Sequence, residues 1–148
     1  MNIINSENLQ EVRKQVDKLK NENKLIIVQG RDIEFNRKIL EMKKVNMLIL
    51  QHKQGKDKLK QRDSGLNEVL CEIARKNNIT LAIDFSEIIN SDNKERAKII
   101  GRLIQNLKLM KKAGNKIEIL NKPEDKKSLQ AFLLVLGADT KLASEIAQ

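Results

Sequence analysis

The sequence predicts an α/β fold, a partial TIM-barrel-like arrangement of about five mostly parallel strands with surrounding helices. Three observations carry this expectation. Short continuous apolar runs recur, as KLIIV at 24–28, MLIL at 47–50 and ITLAIDF at 79–85. A strand that reads as an unbroken apolar run is one covered on both faces, as parallel strands are. Between these runs, apolar residues return every three or four positions, the period of an amphipathic helix. The alternation continues along the chain with one proline and no low-complexity linker. A doubly wound open sheet has the same order of elements and stays open as the alternative.

Taken in order, Asn2 to Asn5 read as an edge strand, and Ser6 as the N-cap of a helix whose Leu9, Val12, Val16 and Leu19 share a face as far as Glu22. Lys24 to Val28 form a buried strand that ends at Gln29-Gly30. Asp32 caps a second helix with Phe35, Ile39 and Met42 on one side, and Met47 to Leu50 make the next strand. The segment from Gln51 to Asp63 is hydrophilic and aperiodic, hence a loop. Ser64 opens a helix with Leu66, Val69, Leu70 and Ile73 inward, followed by a β-branched strand from Ile79 to Phe85. A long helix from Lys94 to Lys112 places Ala97, Ile100, Leu103, Ile104, Leu107 and Met110 on its inner face and ends at the C-cap Gly114. Lys116 to Leu120 form the last strand, Pro123 starts a helix at its first position, and the chain breaks at Gly137 before a short helix at 141–147.

Length and composition bound the function. The 148 residues, 40% hydrophobic and 33% charged, suit a single domain spanning 1–148 with a real core. No apolar run reaches the roughly 18 residues that cross a bilayer, and MNIINSENLQ has neither the basic nor the apolar region of a signal peptide. A cytoplasmic protein with no membrane partner is expected. Cys71 is the sole cysteine, which excludes an internal disulfide and a multi-thiolate zinc site, and it reads as a small core residue. His52, the sole histidine, stands beside a run of lysines and reads as solvated rather than catalytic.

Neither a Walker pattern nor GxGxxG fits any segment, which removes the nucleotide-dependent enzymes of those classes. Asp84 at a strand end, with Glu87 three residues on, is the one acidic pair placed for acid/base or magnesium work. A strand-end acid that caps the following loop is the plainer reading. The charge is more informative: 29 Lys and Arg against 20 Asp and Glu give +9, which points to a polyanion. Lys53, Lys56, Lys58, Lys60 and Arg62 lie close together in the loop, where a solvated lysine run and a phosphate-binding surface are both readings. A second cationic stripe, Lys94, Lys98 and Arg102, extends along the long helix through Lys108, Lys111 and Lys112. Like charges four apart cost a few tenths of a kcal/mol each, a cost that an anionic partner removes. Aromatic residues are 2% of the chain, so recognition through phosphates and RNA shape fits better than base stacking.

The segments RDSGLNEVL at 62–70, ITLAIDF at 79–85 and SDNKERAKIIGRLIQNLKLMKKAG at 91–114 resemble the ribonuclease P protein component 3 family, the archaeal relatives of the eukaryotic thirty-kilodalton subunit. KLIIVQG, DIEFNRKILEMKKVNMLIL and PEDKKSLQAFL resemble its middle section and final helices. The resemblance implies a TIM-barrel-like, RNA-binding subunit that pairs with component 2 and other ribonuclease P proteins and supports removal of 5′ leaders from precursor tRNA. It also implies that the chemistry belongs to the partner RNA and its Mg2+, with no cofactor and no catalytic residue on this chain. Arg62, Asp63, Ser64, Gly65, Asn67 and Arg96 match the family pattern, and Ser64, Gly65, Asn67 and Arg96 therefore join the expected RNA contacts. Longer members begin with strand and helix units that have no counterpart here, from which a partial barrel and self-association are expected. The alternatives are a metal-dependent hydrolase on a barrel scaffold that uses Asp84 and Glu87, and a basic assembly protein with an acidic protein partner.

Overall fold

A computed structural model describes residues 2–53 and 64–148. Its elements follow as β1 (Ile3–Ile4), α1 (Leu9–Asn21), β2 (Ile27–Gln29), α2 (Ile33–Glu41), β3 (Met47–Leu50), α3 (Glu68–Lys76), β4 (Thr80–Asp84), α4 (Ser86–Ile89), α5 (Asn93–Ala113), β5 (Ile117–Leu120), α6 (Lys126–Val135) and α7 (Thr140–Ala147). The five strands form one parallel sheet in the order β1-β2-β3-β4-β5. Each strand therefore lies beside its sequence neighbour, as in a section of a (β/α) barrel. A doubly wound sheet would reverse direction at a switch point. That reversal is absent among the described residues, and the sheet is an open, partial TIM-barrel-like one.

The strand register explains why the strands read as continuous apolar runs. Ile4, Val28, Leu48, Leu81 and Ile117 stand side by side in one row, and this row faces the helices. There it meets Val12 and Val16 of α1, Ile39 and Leu40 of α2, Leu70 and Cys71 of α3, and Leu103 and Leu107 of α5 in the main core. The neighbouring residues point the other way, where Ile27, Met47, Ile49, Ala82 and Leu120 make a second buried cluster. Each fully buried Ile or Leu contributes about 1.5–3 kcal/mol against remaining exposed, so a polar residue at one of these buried positions would be costly.

Several element boundaries differ from the sequence expectation for a shared reason: an asparagine or aspartate nearer the helix takes the cap. Asn8, not Ser6, caps α1, with its Oδ1 accepting from the amides of Gln10 and Glu11. Ser6 supports that cap from outside, accepting from Asn8 N and donating to Glu11. Asn67, not Ser64, caps α3, and Val69 lies outward at 54% exposure while Cys71 and Ala74 take the inner positions. Asp125, not Pro123, begins α6. The connection after β4 contains the short helix α4. Asp32 and Gly114 cap α2 and α5 as expected, Gly114 in the left-handed conformation at φ 72°.

The largest departure is the rotation of α5. Leu103, Leu107 and Met110 are buried, but Ala97 and Ile104 face outward and Ile99, Arg102 and Asn106 are buried instead. The cationic stripe Lys94-Lys98-Arg102 is thereby corrected. Lys94 and Lys98 are exposed, and Arg102 is interior at 3% exposure. Among the described residues, no helix is long and apolar enough to cross a membrane.

Candidate functional site

Most of the buried polar residues, Asn36, His52, Ser64, Arg102 and Asn106, gather near the carboxyl end of β3, where the chain leaves the sheet through Gln51 and His52. The neighbouring lysines predicted a solvated histidine. His52 is in fact buried, at 1% exposure. Its Nε2 lies 2.9 Å from Nδ2 of Asn106. An amide nitrogen only donates, so Nε2 is the acceptor and the ring hydrogen sits on Nδ1. Nδ1 faces Oε2 of Glu87 at 3.5 Å, and the same oxygen accepts from the His52 backbone amide at 3.2 Å. With both ring nitrogens engaged and no exposed face, His52 is held as a structural group rather than offered to a substrate.

The other residues around this ring come from α5. Nη1 of Arg102 donates to the carbonyl of His52 at 2.7 Å and reaches that of Lys53 at 3.5 Å. The second hydrogen of the Asn106 amide goes to the carbonyl of Ser64 at 3.0 Å, and Nε2 of Gln105 donates to the Ser64 hydroxyl at 3.2 Å. One turn of helix, at positions i, i+3 and i+4, therefore holds the chain both where it leaves β3 and where it approaches α3. Among the described residues, Oδ1 of Asn106 is buried without a hydrogen-bond partner.

The SGLN part of the family-like motif is part of this assembly. Gly65 has φ +72°, and a Cβ on it would lie 2.9 Å from the Arg31 carbonyl and 3.0 Å from Nδ2 of Asn36. Glycine therefore allows both the left-handed turn and the close approach. Asn36, fully buried, donates to the carbonyls of Gly65 at 2.8 Å and Arg31 at 3.1 Å and accepts from the Arg31 amide at 2.7 Å. Ser64 is likewise at 0% exposure. The structure thus places Ser64, Gly65 and Arg102 inside the protein, and their hydrogen bonds go to its own chain. Asn67 spends its side chain on the α3 cap, accepting from Leu70 N at 2.9 Å. Arg96 donates to the carbonyls of Ile88 at 3.0 Å and Ser91 at 2.9 Å, which closes the end of α4.

The remaining expected contacts divide by exposure. Lys94, Lys98, Lys108, Lys111 and Lys112 are exposed on α5, as is Lys53. Lys111 lies 3.5 Å from Asp139, and Lys112 lies 2.8 Å from Glu68. Among the described residues, Lys94, Lys98 and Lys108 form no ion pair. Lys56, Lys58, Lys60 and Arg62 lie outside the described residues.

Asp84 and Glu87 do not act as a pair. Glu87 faces His52, whereas Asp84 accepts from the hydroxyl of Ser86 at 2.6 Å, its amide at 3.0 Å and Nδ2 of Asn121 at 2.9 Å. Burial raises the Asp84 carboxyl, but these hydrogen bonds from Asn121 and Ser86 outweigh it and hold the group below its ordinary value. Among the described residues, no three His, Cys, Asp or Glu side chains gather as metal ligands. Burial pushes the Cys71 thiol up to about 12, with the nearby Glu72 and Glu68 adding to the effect, so its thiolate is scarce at neutral pH.

Sequence reasoning missed Asn36, Asn106 and the buried state of His52. A signal for Asn106 was present: with Arg102 it shares the face of Ile99 and Leu103, so two polar residues four apart sit within an apolar stripe. Asn36 stands in the same way beside Phe35 in α2.

The family model described as RNase P subunit p30 matches residues 3–118. Among relatives, a ribonuclease P protein component 3 of Methanococcus maripaludis is 31% identical over 122 residues, covering 82% of this chain and 50% of the relative. That of Methanocaldococcus jannaschii is 31% identical over 143 residues, covering 90% of this chain and 57% of its own. A chain in the cryo-EM structure of archaeal ribonuclease P with mature tRNA superposes with a TM-score of 0.77 at 27% identity, over 97% of this chain and 62% of that one. The chain spans about half the length of the relatives it matches.

Proposed function

The chain belongs to the RNase P subunit p30 family, and from that premise we propose that it is a protein subunit of ribonuclease P which binds RNA and supports the removal of 5′ leaders from precursor tRNA. The observation that carries the reading is the likeness, above 25% in identity, to a chain of an archaeal ribonuclease P bound to tRNA. The charge of +9 and the exposed Lys94, Lys98 and Lys108 along one helix support contact with phosphates. In this reading Lys53, Lys56, Lys58, Lys60 and Arg62 add to the positive charge that the chain offers to RNA. Component 2 and other ribonuclease P proteins are the protein partners, the complex works in the cytoplasm, and the chain also associates with itself. Mg2+ enters with the RNA, and this chain supplies position and charge rather than a reacting group.

Reconstitution tests the proposal. The purified chain alone is expected to leave a precursor tRNA intact, and adding it to transcribed ribonuclease P RNA with component 2 is expected to raise cleavage. K94A/K98A/K108A is expected to weaken binding to that RNA and flatten the log–log salt dependence by roughly 0.7 to 0.9 for each phosphate that is no longer neutralised. Unchanged affinity and salt slope in this variant would place the RNA elsewhere. Cleavage by the chain without RNA would end the subunit reading.

A further inference from the structure

We infer that the amino end of the sheet is a second RNA-contacting surface, where the turns that lead from a helix into a strand hold a row of lysines against the phosphate backbone. The inference rests on the RNA-binding reading above and gives it residues outside α5.

The topology makes the row. With a helix between successive parallel strands, every helix ends at the same end of the sheet, so the turns entering β2, β3, β4 and β5 lie side by side. Neighbouring strands are about 4.8 Å apart, which sets the row at roughly 14 Å. Backbone hydrogen bonds lace the turns together. The Asn46 amide donates to the Ile26 carbonyl at 2.9 Å, the Thr80 amide to the Asn46 carbonyl at 3.0 Å and the Leu81 amide to the Lys116 carbonyl at 3.0 Å. Cations on these turns are therefore held in fixed relation to one another before a ligand arrives.

The charge on the row exceeds what the helices need. Lys24 precedes β2, Lys43 and Lys44 precede β3 and Lys116 precedes β5, while Lys20 and Lys76 stand in the last turns of α1 and α3; all six are exposed. Glu22 is the one acid within the four turns, and it pairs with Lys24 at 3.0 Å. Lys44 pairs with Asp17 at 2.8 Å. Among the described residues, Lys20, Lys43 and Lys76 form no ion pair. A lysine in the last turn of a helix offsets the negative end of the helix dipole, which accounts for Lys20 and Lys76. That effect fades beyond the last turn, yet Lys24, Lys43 and Lys116 lie past the ends of α1, α2 and α5. At the opposite end of the sheet the sign reverses, because Asp32, Asp92 and Asp125 cap the helices that start there.

A recess in the row adds donors to the charge. Between the turns entering β2 and β3 lies an open cavity of about 270 Å³, lined in part by Lys20, Lys24, Leu25 and Asn46. Asn46 accepts the Ile26 amide through Oδ1 at 2.8 Å, which leaves the hydrogens of its Nδ2 without a partner among the described residues. Ammonium groups and an amide donor suit phosphate oxygens, and Leu25, 59% exposed, gives the adjoining sugar an aliphatic surface to lie against. Reacting groups in TIM barrels gather at the carboxyl end of the strands. A surface that supplies only charge and position is not bound to that end.

The test compares the salt dependence of binding to transcribed ribonuclease P RNA across variants of the full chain. K20A/K43A/K76A removes three exposed lysines from three of the turns, and is expected to weaken binding and flatten the log–log slope by roughly 0.7 to 0.9 for each lost phosphate contact. K126A/K127A/K141A removes the same charge from α6 and α7 and is expected to keep the wild-type slope. Exposed lysines contribute little to folding, so both variants should melt near the unaltered protein. A normal slope in K20A/K43A/K76A beside a flattened one in K94A/K98A/K108A overturns this surface and leaves the RNA-binding reading intact. Normal slopes in both overturn this surface together with the α5 contact. Equal flattening in K126A/K127A/K141A also overturns it, because the effect would be one of net charge alone. Loss of binding to phosphatidylserine vesicles in K20A/K43A/K76A, with its RNA slope unchanged, overturns it as well and assigns the lysines to an anionic lipid surface.

Discussion

On its outward face α5 holds Lys94, Lys98 and Lys108 in solvent, whereas on its inward face it buries Arg102 and Asn106 beside Leu103 and Leu107. Both faces carry cationic or polar residues at four-residue spacing, so the residue types do not distinguish them. The environment does. An exposed lysine keeps its hydration and is available to a phosphate, while a buried guanidinium must find carbonyls to replace water, and Arg102 finds those of His52 and Lys53. Charge spacing on a helix therefore reports a ligand surface only after the phase of that helix is known.

Removing one cation from each face should separate the two most widely. Arg102→Ala strips a charged donor from a buried carbonyl and leaves a cavity, and is expected to cost about 3 kcal/mol or more in chemical denaturation. Lys98→Ala is expected to stay within about 0.5 kcal/mol. If the two variants unfold at the same denaturant concentration, the inward network contributes no more than the solvated face, and the distinction between the faces fails.

A smaller effect separates two glycines that share one backbone conformation. Gly65 and Gly114 both have φ +72°, but a Cβ on Gly65 would press on the Arg31 carbonyl and Asn36, whereas one on Gly114 meets nothing within 4 Å. Gly114→Ala should lose only the left-handed backbone preference, roughly 1–2 kcal/mol. Gly65→Ala adds the clash and should lose roughly 2–3 kcal/mol, because the atoms in its way are a backbone carbonyl and a hydrogen-bonded amide. Equal losses, measured as shifts in thermal midpoint, would mean that the docking of the Ser64-Gly65 turn onto Asn36 is loose.

What was legible in the sequence follows the same division. The strands were readable because both of their faces are apolar, and Asp32 and Gly114 were readable because helix ends need an acceptor at one end and a left-handed residue at the other. The phase of α5 was not, because burying Arg102 and Asn106 breaks the apolar period that phase is read from. Ser6 and Ser64 read as caps because a serine hydroxyl suits a helix start and a tertiary contact equally well. His52 takes its sequence reading from its neighbour Lys53, yet its burial is decided by Asn106, 54 residues further along. The lysines were legible as charge, and the buried network of His52, Arg102 and Asn106 became visible only with the fold. Charge spacing alone does not separate a lysine that faces solvent from an arginine that faces a carbonyl until the elements are packed.

The smallest expected effect lies at Asp84, beside this network rather than in it, and it asks whether the carboxyl end of the sheet is tied together on both sides of β4. In the folded protein the Asp84 carboxyl is held below its ordinary value by Asn121 and Ser86 against the opposing effect of burial. A group with a depressed folded pKa contributes stability that is present above its unfolded pKa and is lost as the pH falls through the folded one. The contribution of Asp84 is therefore complete near neutrality and disappears in the acid range, below its ordinary value of 3.8. Because the group is partly open to water, the effect is modest. Asp84→Asn is expected to lower the thermal midpoint slightly at pH 7, with the difference from the unaltered protein shrinking towards zero as the buffer is taken into the acid range. If the difference is instead constant with pH, the loss reflects hydrogen-bond geometry and not charge. In that case the Ser86 and Asn121 donors act on Asp84 only as they would on a neutral amide.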